Sequence, residues 1–202
     1  NADLSIAATL LYAAPIVVLL LSVILFKEKF TAKKAIACVL AFLGCFLVSG
    51  LVGSGRGIPG KALLTGILSA IGYALYSIFG EIAIRKGYKS LTITTYTFMI
   101  AAVGSLILLR PAQIVDAAAK TTVPMFILML VAISINVSLL PYIFYTNGLL
   151  RIAPSKASII ASIEPVTATV VGALIFKEYP DIYGIFGIIF VLGAIVLLNI
   201  KA

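Results

Sequence analysis

A chain of 202 residues that is 62% hydrophobic and only 11% charged is not built like a soluble domain, where about a quarter of the residues carry charge. Its net charge of +8 would point to nucleic acid in a soluble protein. Here the basic residues lie between apolar blocks of about 20 residues, the length that crosses a hydrocarbon core, so they read as topology signals and no nucleic-acid partner is implied.

The blocks predict seven transmembrane helices, over 4–26, 35–52, 62–84, 91–109, 123–147, 154–176 and 181–200, in an all-α polytopic membrane protein whose solvent is the lipid bilayer. The first block has no basic n-region and no cleavage site, so it reads as a span and not as a signal peptide. The second holds Cys38 and Cys45 on one helical face, where they read as small packing residues. Connectors are short and carry Gly, Pro or basic residues: Gly53-Ser54-Gly55-Arg56-Gly57, Arg85-Lys86-Gly87-Tyr88, Arg110-Pro111 and Lys177-Glu178-Tyr179-Pro180. Between the fourth and fifth spans, 111–122 is expected as a short interfacial helix with Ile114, Val115 and Ala118 facing the lipid.

Alternate connectors divide the charge unevenly. One set holds Lys27, Lys29, Lys33, Lys34, Arg85, Lys86, Lys89, Arg151, Lys156 and Lys201; the other holds Arg56, Lys61, Arg110, Lys120 and Lys177. Lys and Arg are retained on the cytoplasmic side, which places the first set and the C-terminus in the cytoplasm and Asn1 outside.

Slid against itself by 150 residues, the sequence answers in one region. Ser5, Ala7, Pro15, Phe26, Lys27 and Glu28 fall on Ser155, Ala157, Pro165, Phe176, Lys177 and Glu178 without a gap. The first span then corresponds to the sixth, five spans later, so the copies cross the membrane in opposite directions. This is the inverted repeat of many secondary carriers, whose site lies at the midplane between the halves. Residues 61–202 make one complete five-helix unit and 53–60 a linker. Residues 1–52 supply the last two helices of the other unit, so three helices are expected to precede Asn1, or a second copy of the chain to stand in for them.

The run Ala157-Ser158-Ile159-Ile160-Ala161-Ser162-Ile163-Glu164-Pro165-Val166, followed by Phe176-Lys177-Glu178, resembles the EamA-type domain of the drug/metabolite transporter superfamily. Ala8 to Pro15, followed by Phe26-Lys27-Glu28, is its weaker partner. The resemblance covers the whole chain, with the second domain complete and the first truncated. It implies a ten-helix, 5+5 carrier of the bacterial inner membrane with cytoplasmic termini. Its expected substrates are small molecules such as amino acids or their derivatives, nucleosides or drugs.

Polar groups inside lipid are costly and usually face a cavity or a partner helix. Glu164 and Asn136 lie at the centres of the sixth and fifth spans, Tyr12 near the middle of the first, and Tyr73 and Tyr76 on one face of the third with Ser77 and Gly80. These are the candidates for substrate binding or coupling. The bland readings are a packed tyrosine stripe, an interhelical bond from Asn136, and a neutral Glu164 bonded to a carbonyl freed by Pro165. Pro15, Pro141 and Pro165 each remove a helical hydrogen bond and are candidate hinges or kinks. Glu81 four residues before Arg85 reads as a surface ion pair. Glu28 and Glu178, beside lysines at helix ends, read as structural. Gly66/Ala70, Ser158/Ser162 and Ala168/Gly172 permit close helix contact.

With no His and no cluster of titratable residues, neither a metal nor a cofactor is implied and an enzyme is not expected. No Walker A pattern supplies ATP drive. Two other classes compete with a carrier. A seven-helix retinal-type receptor needs a Lys in the middle of its last span, and 181–200 has none. A small oligomeric multidrug exporter has subunits of about four helices, too short for a 150-residue repeat.

Overall fold

The computed structural model describes residues 2–52, 59–108 and 111–200. Asn1, most of the 53–60 linker with Arg56, Arg110 and Lys201 lie outside the described residues. Among those described, the regular structure is entirely helical: α1 Ala2–Leu11, α2 Ala14–Phe26, α3 Ala32–Val48, α4 Gly60–Arg85, α5 Ser90–Leu108, α6 Pro111–Ala119, α7 Val123–Ile133, α8 Leu140–Leu149, α9 Pro154–Ala161, α10 Glu164–Val171 and α11 Ile182–Asn199. Two π-helical turns, Ser134–Leu139 and Gly172–Phe176, extend α7 and α10. The short helix expected over 111–122 is α6, Pro111–Ala119, with Ile114 and Val115 exposed.

Among the described residues six segments are long and apolar enough to cross a membrane: Ile6–Phe26, Gly60–Arg85, Ser90–Ile107, Val123–Leu149, Pro154–Phe176 and Ile182–Asn199. The span expected over 35–52 falls short of that length. It is α3, 17 residues long and shifted toward the N-terminus. The Thr31 hydroxyl accepts a hydrogen bond from the Lys34 N–H and starts the helix before the apolar block, with Lys33 and Lys34 in its first turn. Gly50, at φ 69°, follows its end in the left-handed conformation that suits a residue without a Cβ.

The chain forms two compact units, residues 1–81 with 152–202, and residues 82–151. In the first unit, α3 and α11 run antiparallel along their whole length. Lys33 Nζ donates to the Ile200 carbonyl at one end, Ala37, Ala41 and Ala194 share a buried cluster, and Gly44 meets Gly187 further along. A Cβ on Gly187 would sit 2.6 Å from the Gly44 carbonyl oxygen and 2.8 Å from the Val48 nitrogen. Lipid tails supply no hydrophobic drive between helices, so contact this close is gained through small residues. Because the obstructing atoms are backbone, Gly187→Val forces the two helices apart. We expect a loss of about 2–3 kcal/mol, read as a fall in the thermal unfolding midpoint of the purified protein. A variant as stable as the parent would show that the two helices do not touch there.

The 150-residue offset recurs in local structure. The first and sixth blocks are not continuous helices: α1 gives way to α2 at Tyr12-Ala13, and α9 to α10 at Ser162-Ile163. Both breaks are closed by three-residue bonds, Tyr12 N–H to Thr9 O at 3.1 Å and Ser162 N–H to Ile159 O at 3.2 Å. Each lies just ahead of a proline, whose ring lacks the N–H of the next rung. Lys27 and Lys177 both take φ near +57° (54° and 60°), and Glu28 and Glu178 donate their N–H to Ser22 and Gly172. The Asp181 carboxylate caps α11 by accepting from Gly184 N–H at 2.8 Å, as Thr31 caps α3. The two proline-broken segments pass in opposite directions, with Glu28 beside Ser155 at one end and Leu19 clustered with Ile159 further in.

In the second unit, the Phe98 ring of α5 meets the Tyr142 ring of α8 edge-on at 5.3 Å, and Ser90 Oγ donates to Ile143 O. The π-helical turn ends just before Pro141, where Leu140 N–H reaches back five residues to Ile135 O. That accommodates the proline without ending the span. The buried face of α4 carries small residues, Ala62, Gly66, Ala70, Ala74, Ser77 and Gly80, with Ile78 and Glu81 the exceptions. Glu81 itself, read as half of a surface pair, is buried at 8% exposure.

Candidate functional site

Where the two broken segments pass each other, the first unit holds a cavity with about 290 Å³ of empty space, its open mouth included. Tyr12 and Pro15 reach it from the first break, Glu164 and Ser162 from the second, and Tyr73 from α4. Four positions singled out by sequence therefore meet at one place. The geometry follows from the prolines. Each interrupts its helix within the span, and the tight turn exposes wall that a continuous helix would cover with side chains.

Glu164 is the first residue of α10 and is exposed. Among the described residues no hydrogen bond is made to its carboxyl, and no Lys or Arg lines the cavity. Part of the wall is tightly packed. Ser158 and Ser162 are buried, Ser158 Oγ donates to Ser155 O, and Cys45 Sγ lies 3.7 Å from Ser162 O. Cys38 is likewise buried against the Pro15 carbonyl at 3.6 Å, and both cysteines are free, so they are the packing residues expected of them.

Pro165 follows Glu164 directly in α10 and is not part of the cavity wall. Tyr76 is half-buried on α4 but is not part of the cavity wall. Asn136 and Pro141 belong to the second unit. Asn136 lies within the π-helical turn, exposed, and its Nδ2 donates to Ala132 O at 2.9 Å on its own helix. Leu11, Ala14 and Ala161, also in the wall, were not among the site candidates. Leu11 and Ala161 stand four residues before Pro15 and Pro165, the positions whose carbonyls lose a helical donor to a proline. Counting back four from each proline would have found them.

These elements define a polytopic helical membrane protein with a small cavity, one carboxyl in its wall, set between apolar helices. The chain matches the EamA-like transporter family over residues 1–50 and 60–200, and it belongs to that family of membrane transporters. It is similar to the uncharacterized transporter YxxF of Bacillus subtilis strain 168, 27% identical over 98% of this chain and 62% of that protein. An uncharacterized transporter of Archaeoglobus fulgidus is 32% identical over 48% of this chain and 34% of its own length. The chain thus spans less than two thirds of either relative. A protein of known crystal structure shares the fold at TM-score 0.79 and 17% identity, covering 96% of this chain and 67% of that one.

Proposed function

We propose that the chain is the larger part of a secondary carrier of small metabolites, working by alternating access around the Tyr12–Tyr73–Glu164 cavity. In this reading α3 is a seventh span, residues 1–52 end one five-helix repeat, and residues 61–202 form the other. The carrier lies in a bacterial inner membrane with its C-terminus in the cytoplasm, on the side that holds most of the Lys and Arg. Three further helices, or a second copy, complete the first repeat. Amino acids or their derivatives, nucleosides and drugs are the substrate classes considered.

The observation that carries the reading is the meeting of two proline-broken segments, 150 residues apart and oppositely directed, around one exposed carboxyl. Broken helices at the junction of inverted repeats are where carriers bind solute, because unwound backbone is tolerated in a membrane only where it lines a cavity. Antiparallel α3 and α11 support the same relation. Two π-helical turns inside spans offer points where helices can bend as the halves rock. The test compares metabolite pools, inside and outside, of cells with and without the gene for the complete protein. At least one small metabolite should shift across the membrane on expression and return on deletion. Identical pools under every nutrient condition would overturn the reading.

A further inference from the structure

We infer that the Glu164 cavity receives a primary ammonium group of the solute. This rests on the carrier reading above and adds the chemistry of what is carried. Its wall brings a carboxyl together with hydroxyls. Glu164 contributes the carboxyl, which is exposed. Tyr12, Tyr73, Ser158 and Ser162 contribute the hydroxyls. Against these stands no Lys or Arg in the lining, and the donors present are hydroxyls that also accept. An ammonium group has three donors and no acceptor, the complement of this set. A carboxylate or phosphate would meet the Glu164 carboxyl with no Lys or Arg in the lining to offset it, so an anionic head group is disfavoured.

The tyrosines and the size narrow the choice further. Tyr12 and Tyr73 supply aromatic walls, whose faces attract an organic cation. A bare alkali ion is held instead by a full shell of closely set oxygens, whereas Leu11, Ala14, Pro15 and Ala161 give much of this wall apolar side chains. Much of the 290 Å³ is open mouth, so the enclosed part takes little more than the ammonium group itself.

The complete protein, purified in detergent, tests this by thermal unfolding with n-butylammonium, n-butyrate, n-butanol, NaCl and KCl at matched ionic strength. Butylammonium should raise the midpoint by about 3 °C or more and saturate, as expected of a ligand bound only by the folded state. Butyrate and butanol should leave it unmoved, and Glu164→Gln should abolish the shift. Glu164→Asp, which keeps the charge one methylene back, should retain a saturable shift at higher concentration and covers the case in which the Gln variant folds poorly. Equal stabilisation by NaCl or KCl would replace the ammonium group with an alkali ion. Stabilisation by butanol, or a butylammonium shift that survives Glu164→Gln, would overturn the assignment. Binding is read here without transport. A protein that moves some neutral or acidic metabolite yet ignores butylammonium loses the ammonium assignment and keeps the carrier reading. One that binds butylammonium while metabolite pools never change does the reverse.

Discussion

Glu164→Gln, in the complete protein reconstituted into liposomes, should lower gradient-driven transport of its metabolite at least about tenfold. Gln has nearly the same size and hydrogen-bonding capacity, so it removes the charge and the ability to exchange a proton while sparing the packing. A hydrogen bond to a charged group contributes about 1.5–3 kcal/mol, which corresponds to a factor of about 10–100 in affinity. The competing role for Glu164 is structural. As the first residue of α10 it sits at the positive end of that helix, where a carboxylate contributes about 0.3–1 kcal/mol. That is enough to shift an unfolding midpoint by a degree or two and far too little to stop transport. The two roles also separate in the kinetics. Loss of a bond to a cationic solute raises KM, loss of a proton-carrying step lowers the maximal rate and flattens its dependence on the pH gradient, and a structural role moves neither. Transport unchanged at every pH would leave Glu164 as a helix-start residue.

Much of the fold was legible because hydropathy reports length and prolines report discontinuity. Pro15 and Pro165 marked where the spans would bend, and the cavity formed there. What hydropathy misjudged was α3. Lys33 and Lys34 look like connector residues by composition, yet the Thr31 cap draws them into the helix, and Gly50 ends it early. The extent of the two breaks was hidden for a different reason. A proline predicts a missing rung, but whether the chain bends smoothly or tightens into three-residue bonds depends on what packs against it, here the oppositely directed segment. Tyr76 and Asn136 show the same limit. A polar residue at mid-span is a candidate wherever it lies, and only the fold decides which ones share a wall. Glu28 was least visible of all, since its partner Ser155 is 127 residues away in sequence.

Removing that partner's acceptor is expected to be costly. Glu28 Oε1 accepts from both Lys34 Nζ and Ser155 Oγ, and Lys34 Nζ also donates to Lys29 O. The group joins the end of α2, the start of α3 and the start of α9, within the first unit. Ser155 is fully buried, and the Glu28 and Lys34 side chains are exposed by only 12% and 22%. Breaking a fully buried pair from one side costs about 3–5 kcal/mol; with this partial exposure about 1–3 kcal/mol is expected. At the 150-residue offset Glu178 is exposed and Gly184 stands where Lys34 would be, so Lys34 has no counterpart there to pair with Glu178. The asymmetry makes Glu28→Gln a local probe. Cys38 lies one turn beyond Lys34 on α3 and is buried, while Cys45 is buried two turns further along. Alkylation of Cys38 should therefore quicken about tenfold or more in Glu28→Gln, as roughly 1.4 kcal/mol of local opening is gained, with Cys45 unchanged. The reversed pair, Glu28→Lys with Lys34→Glu, should recover part of the protection that either single change loses. If both cysteines quicken together, the variant has loosened the whole unit. If neither does, the ion pair contributes little to closing that end.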